Sequence, residues 1–127
     1  MSDWPTTIVQ EDINVYAEVS ADFNPIHVDP EFARTTPYGT TIAHGCIVGA
    51  VVSRHLVERM GFKDRVRSVR LKFIGPVRSG DSLQCAAELE EGNPEAPGTR
   101  SYKVSCSNQK GDTVAVGSAA IFDKVCA

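Results

Sequence analysis

The stretch from Ser20 to His27, SADFNPIH, brings together a carboxylate (Asp22), an amide (Asn24) and an imidazole (His27), with Pro25 between the last two. Unperturbed Asp and His side chains titrate near about 3.9 and about 6.5, so an ionised carboxylate and a near-neutral imidazole coexist at neutral pH. Such a pair can grip one water, take a proton from it and return it. The same letters in isolation also read as a turn in which Asp22 and Asn24 bond their own backbone, with His27 an ordinary surface histidine. Other chemistries have less to work with. His27, Asp29, Asp22 and His44 could be drawn together, but none of their spacings is of the zinc type, so no metal is expected. No Ser or Cys comes with a recognisable base and orienting acid, which leaves nucleophilic catalysis without a candidate.

The elements around these residues are legible from period and punctuation. TIVQEDINVYAEVSAD predicts a short extended piece and then a helix, with Glu11 and Asp12 in its first turn and Ile13, Tyr16 and Ala17 on one face. VDPEFART predicts one or two helical turns, with Asp29 as N-cap and Pro30 at the first position. Between them, Pro25 pushes Asn24 toward extended geometry, so Asp22 to His27 reads as a structured loop. HGCIVGAVVSRHLVERMG predicts a helix of four to five turns, about 25 Å long, that ends at Gly61. Its first half is apolar or small almost all round, the pattern of a helix buried on most sides, with Cys46 and Gly49 as packing residues. Beyond Gly61 the period becomes two: Val69, Leu71 and Phe73; Leu83, Cys85, Ala87 and Leu89; Tyr102, Val104 and Cys106; then Thr113 to Phe122. GPVRSGD, GNPEAPG and NQKGD supply the turns between these strands.

A long buried helix followed by four antiparallel strands is an α+β pattern, most simply a curved sheet wrapped around the helix. Such a sheet leaves an edge that asks for a partner, so a homodimer is expected. The 127 residues suit one domain, and the 23% of charged residues is ordinary for a soluble globular chain. A net charge of -3 gives no footprint for nucleic acid. The most apolar stretch, Ile42 to Val57, is broken by His44, Ser53, Arg54 and His55, so no membrane span is expected. The N-terminus carries no secretory pattern, and Cys46, Cys85, Cys106 and Cys126 form no C-x-x-C pair. Reduced thiols and a cytoplasmic location follow as expectations.

YAEVSADFNPIHVDPEFA, IAHGCIVGAVVS and LKFIGPVRSGDSL together resemble the MaoC-like (R)-specific enoyl-CoA hydratases and the related (R)-3-hydroxyacyl thioester dehydratases. The resemblance covers most of the chain, and its specific part is D-x-N-P-x-H followed by the A-H-G helix start. It implies the hot-dog fold over residues 1–127, a central helix wrapped by an antiparallel sheet and usually dimeric, with a further strand before the first helix that only TTIV can supply. It implies hydration of trans-2-enoyl thioesters to (R)-3-hydroxyacyl thioesters, or the reverse dehydration, on substrates carried by coenzyme A or acyl carrier protein and without a cofactor. By the same resemblance Asp22 and His27 activate the water, and the backbone N–H of Gly45 is the oxyanion donor. A helix N-terminus suits that last task, because its first amides lack internal acceptors and its dipole favours negative charge. Asn24, Ser53 and His44 are the candidates for substrate contact or for orienting the catalytic pair.

Two rival functions are weighed against this one. A hot-dog thioesterase, or a dehydratase of the second group, places an acid on the central helix, where the present sequence has none before Glu58. A non-catalytic acyl-thioester-binding subunit would not need Asp22, His27 and Gly45 together. Arg34, Arg65, Arg67 and Arg70 could meet carrier phosphates, but such clusters usually form a solvated face and none is assigned.

Overall fold

In the computed structural model, which describes residues 5–124, the acidic first turn and the Ile13/Ala17 stripe form a helix over the predicted stretch. Helix α1 spans Gln10–Ser20, with Glu11 and Asp12 in its first turn and with Ile13 and Ala17 buried. Before it, Thr6–Thr7 form strand β1, so TTIV does supply the extra strand, though only two residues of it. Four residues on from Ala21, helix α2 (Pro25–Val28) begins, followed at once by α3 (Pro30–Arg34). The first of these departs from the sequence expectation of a loop through His27. Pro25 has no N–H to lose and a φ already suited to the first helical position. Asn24 then caps the turn by accepting the Ile26 N–H at 3.1 Å. Asp29 caps α3 as expected, accepting from Glu31 and Phe32.

The long helix, α4, runs Gly45–Arg54 and continues as a π-helical turn over His55–Arg59. At about 1.5 Å per residue the whole is about 22 Å long, close to expectation. It ends at Gly61, whose φ of +76° is the left-handed geometry a glycine adopts freely. Val48, Val51, Val52 and Leu56 are buried on one face. The expectation that the first half is enclosed on most sides does not hold within one chain. Cys46, Ala50 and Ser53 are exposed, so Cys46 is not a core packing residue. Gly49 fits its packing role loosely, with the nearest atom to a Cβ there being Leu71 Cδ1 at 4.0 Å.

The remaining strands are β2 (Val66–Phe73), β3 (Ser82–Leu89), β4 (Thr99–Ser107) and β5 (Thr113–Phe122). They form one antiparallel sheet with β1, in the order β1-β3-β4-β5-β2, so among the described residues β2 ends it with an open edge. Gly117 on β5 faces Leu71 on β2, and a side chain there would collide with the Arg70 carbonyl. The sheet closes over α4 through Leu83, Val104, Cys106, Val114, Ala115 and Ile121, which share one core with Val48, Val52 and Leu56. Truncating a fully enclosed residue such as Leu56 to Ala would cost about 2–5 kcal/mol. Among the described residues no helix is long and apolar enough to cross a membrane. Cys46, Cys85 and Cys106 are free thiols, and Cys126 lies outside the described residues.

Candidate active site

Asp22 stands just past α1, where Ala21 terminates the helix in the left-handed region at φ 61°. A non-glycine residue there stores strain. The carboxylate divides its two oxygens. Oδ1 accepts the Asn24 backbone N–H at 3.3 Å, and Oδ2 lies 4.0 Å from His27 Nε2. Asp22 therefore closes a turn, as its letters in isolation suggest, and also faces the imidazole of His27, which is not the surface histidine of that simpler interpretation. Among the described residues, the Asn24 side-chain amide bonds neither the Asp22 carboxylate nor the His27 ring; its Oδ1 accepts the Ile26 N–H at 3.1 Å. It caps the turn that carries His27.

His27 is largely buried, with 13% of its side chain exposed, against 53% for Asp22. Its Nδ1 lies 2.8 Å from the Ile42 carbonyl. A carbonyl only accepts, so Nδ1 carries a proton, and Nε2 is the ring nitrogen that faces Asp22. The main chain of His27 is fixed as well: its carbonyl accepts from Gln10 Nε2 at 2.8 Å, and Gln10 Oε1 accepts from Thr41 at 2.5 Å. Sequence reasoning missed Gln10 and Thr41. They sit 17 residues before and 14 after His27, and no local motif links them.

His44 is 4% exposed and touches each part of the site. Its Nε2 donates to the main-chain carbonyl of Asp22 at 3.0 Å, and its ring stacks on His27 with centroids 3.9 Å apart. It is also the residue before Gly45. Tyr16 packs edge-on against it at 4.7 Å, so the α1 face read as core reaches the site. A hydrogen bond with Cys46, then burial, holds the Tyr16 phenol above its usual pKa and keeps it protonated. As N-cap of α4, His44 supplies no capping side chain. The Ile47 N–H donates to the His44 carbonyl at 3.0 Å, and the Gly45 N–H at the first position is left to meet an outside acceptor. Gly45 and His27 line the same cavity of about 470 Å³, with Ile42, Val48, Ile74 and Val77 as apolar wall.

Ser53 is not drawn to the pair. It is exposed and lies two turns along α4, on a second depression that also borders Gly45. Glu58, the first acid on the helix, is spent on Arg54 at 2.7 Å, some 20 Å from the helix start at about 1.5 Å per residue. No acid therefore stands where a helix-borne general base would act. Arg65 donates to the Phe122 carbonyl and Arg70 pairs with Glu95, both structural roles. Ligand-type atoms of Asp22, His27 and His44 do lie within 4.8 Å of one another. The two imidazoles are stacked with planes 25° apart, however, and a metal must lie in the plane of each ring that binds it. The cluster suits proton transfer rather than coordination. A water between Oδ2 and Nε2 would touch the carboxylate and the imidazole together, with the helix-start amide beside it for charge on a neighbouring oxygen.

Comparison with known proteins identifies the family and the fold. The family model described as MaoC like domain matches residues 2–110. A 3-hydroxybutyryl-CoA dehydratase of Methylorubrum extorquens is 36% identical over 115 residues, 90% of this chain and 71% of that protein. An (R)-specific enoyl-CoA hydratase of Rhodospirillum rubrum is 36% identical over 90 residues, covering 70% of this chain and 62% of its own length. Among solved structures, the unliganded R-hydratase PhaJ1 from Pseudomonas aeruginosa superposes with a TM-score of 0.81 at 31% identity, over 92% of this chain and 75% of that one.

Proposed function

The chain belongs to the MaoC-like domain family and has its hot-dog fold, and from that premise we propose that it hydrates trans-2-enoyl thioesters to (R)-3-hydroxyacyl thioesters, or runs the reverse dehydration. The observation that carries this is the Asp22 Oδ2–His27 Nε2 separation of 4.0 Å, beside the open start of α4. A water held between the two groups loses a proton to the pair, and its oxygen bonds to C3 of the enoyl group. The electrons of the double bond shift toward the thioester oxygen, where the Gly45 N–H holds the developing charge. The pair then returns the proton to C2. Both transfers come from one face of the substrate, so water adds with H and OH on the same side. Run backward, the same groups remove C2–H and expel the C3 hydroxyl.

No cofactor enters this scheme beyond the coenzyme A or acyl carrier protein that bears the substrate. We further propose a homodimer or higher homo-oligomer, supported by the open edge of β2 with Phe73 exposed on it. A cytoplasmic location suits the free thiols of Cys46, Cys85 and Cys106. The test of function is the loss of enoyl absorbance with crotonyl-CoA and longer 2-enoyl-CoAs, followed by chiral analysis of the product. An (R)-3-hydroxyacyl-CoA is expected. Release of free thiol would make it a thioesterase, and binding without turnover would make it an inert acyl-thioester subunit.

A further inference from the structure

We propose that Gln10 and Thr41 form a clamp that sets the spacing of Asp22 and His27, a positioning role that rests on the hydratase function above. Neither side chain lines the cavity shared by His27 and Gly45; what they hold is the frame of His27. Helix α2 is a single turn, so its last carbonyls find no N–H within their own helix. Donors from elsewhere meet them. The Ile42 N–H binds the Ile26 carbonyl at 3.1 Å, and Gln10 Nε2 binds the His27 carbonyl at 2.8 Å. Ile42 also holds the ring, through its carbonyl on Nδ1 at 2.8 Å. Its neighbour Thr41 donates a hydroxyl hydrogen to Gln10 Oε1 at 2.5 Å, which ties the two grips on His27 to each other.

The amide does this in one orientation only. A carbonyl cannot donate, so Nε2 must face His27 and Oε1 is left for Thr41. The second N–H of Nε2 goes to Asn14 Oδ1 at 2.9 Å, so both amide donors are in use. Flipped, the amide would set Oε1 against the His27 carbonyl, two acceptors in contact. Thr41 is 3% exposed, and its main-chain carbonyl accepts the Ser79 N–H at 3.0 Å, so the hydroxyl projects from an anchored segment. Gln10 opens α1, and Asp22 follows the other end of the same helix, about 16 Å away at about 1.5 Å per residue. One side chain thus bears on both members of the pair, through α1 on Asp22 and through the carbonyl on His27. With the clamp open, α2 can shift against α1, and the 4.0 Å gap between Oδ2 and Nε2 changes with it.

Thr41→Val removes the hydroxyl donor at nearly constant volume. On crotonyl-CoA its kcat should fall by about 10- to 100-fold, the cost of a misplacement approaching about 1 Å at a reacting group. KM should stay within about threefold of the parent, because the cavity lining is untouched. Thr41→Ser keeps the hydroxyl and should recover most of the loss. Gln10→Leu, at a half-buried position, should lower kcat as Thr41→Val does and serves as the test if Thr41→Val fails to fold. The double variant should be scarcely worse than the poorer single one, since either change opens the clamp. A kcat loss under about threefold, a loss confined to KM, or a Ser variant no better than Val would overturn the assignment. Nitrogen-15 NMR of the His27 ring reads the clamp without turnover: Thr41→Val or Gln10→Leu should move the Nδ1 and Nε2 resonances, and Thr41→Ser should keep them near those of the parent. If the parent hydrates no enoyl-CoA, the hydratase function falls while the ring resonances still decide the clamp, and resonances unmoved in Thr41→Val and Gln10→Leu would sink it.

Discussion

Replacing His44 with Phe separates stability from catalysis at this site. The substitution keeps an aromatic ring against His27 and Tyr16 but removes the Nε2–H that donates to the Asp22 carbonyl at 3.0 Å. That bond is worth about 0.5–1.5 kcal/mol net. Opposing the loss is Nδ1, buried with no partner among the described residues. Eliminating an unpaired buried polar atom returns about 1–3 kcal/mol. Unfolding free energy should thus change by no more than about 1 kcal/mol downward, and it can rise. Catalysis has no such offset. The carbonyl tie fixes the main chain from which the Asp22 carboxylate projects, and a misplacement of about 1 Å at a reacting group costs on the order of 100-fold. We expect kcat/KM on crotonyl-CoA to fall by about 10- to 100-fold, with a midpoint shift on thermal unfolding below about 8 °C. His44→Gln keeps an N–H donor at comparable reach and should recover most of the activity. A loss under about threefold in His44→Phe would refute the reasoning, as would a Gln variant no better than Phe.

Other substitutions probe neighbouring features. Ala21 holds φ 61° immediately before Asp22; Ala21→Gly should relieve that strain and raise the unfolding free energy by up to about 1 kcal/mol in a denaturant titration. Gly45→Ala would bring a methyl to 3.0 Å from Phe73 Cε2. The half-exposed ring can shift, so stability should hold, while the methyl obstructs the carbonyl and kcat/KM should drop by about tenfold or more. Burial, then the charge of Arg59, lowers the His55 pKa in the fold. The unfolded chain therefore binds more protons as pH falls below about 6.5, and this contribution is present above that pH and lost on acidification. Urea unfolding of His55→Gln from pH 7 to 5 should accordingly show a shallower acid loss than the parent.

The elements were legible where one rule dominated. Alternation marked β2 through β5, and β5 runs Thr113–Phe122 as read. Asp29–Pro30 announced α3 by capping chemistry, which is local. The turn at Pro25 was misread because the bias of proline on Asn24 was weighed and its fitness as a first helical residue was not. The burial of α4 was overstated because composition tells how apolar a face is and not which chain covers it. Within the site, Asp22, His27 and the α4 start came from a motif that local spacing makes visible. The Ile42 carbonyl, Gln10 and Thr41 come from distant parts of the chain. Their contacts depend on how the segments cross, and no short pattern encodes that.

Hydration kinetics of Asp22→Asn and His27→Ala bear most directly on whether one water is shared by these two groups. Each variant, folded by circular dichroism, should lose kcat/KM on crotonyl-CoA by roughly 1,000-fold, with the double variant scarcely worse than the poorer single one because the pair works as a unit. Losses of only a few-fold, with (R)-product still forming, would contradict it.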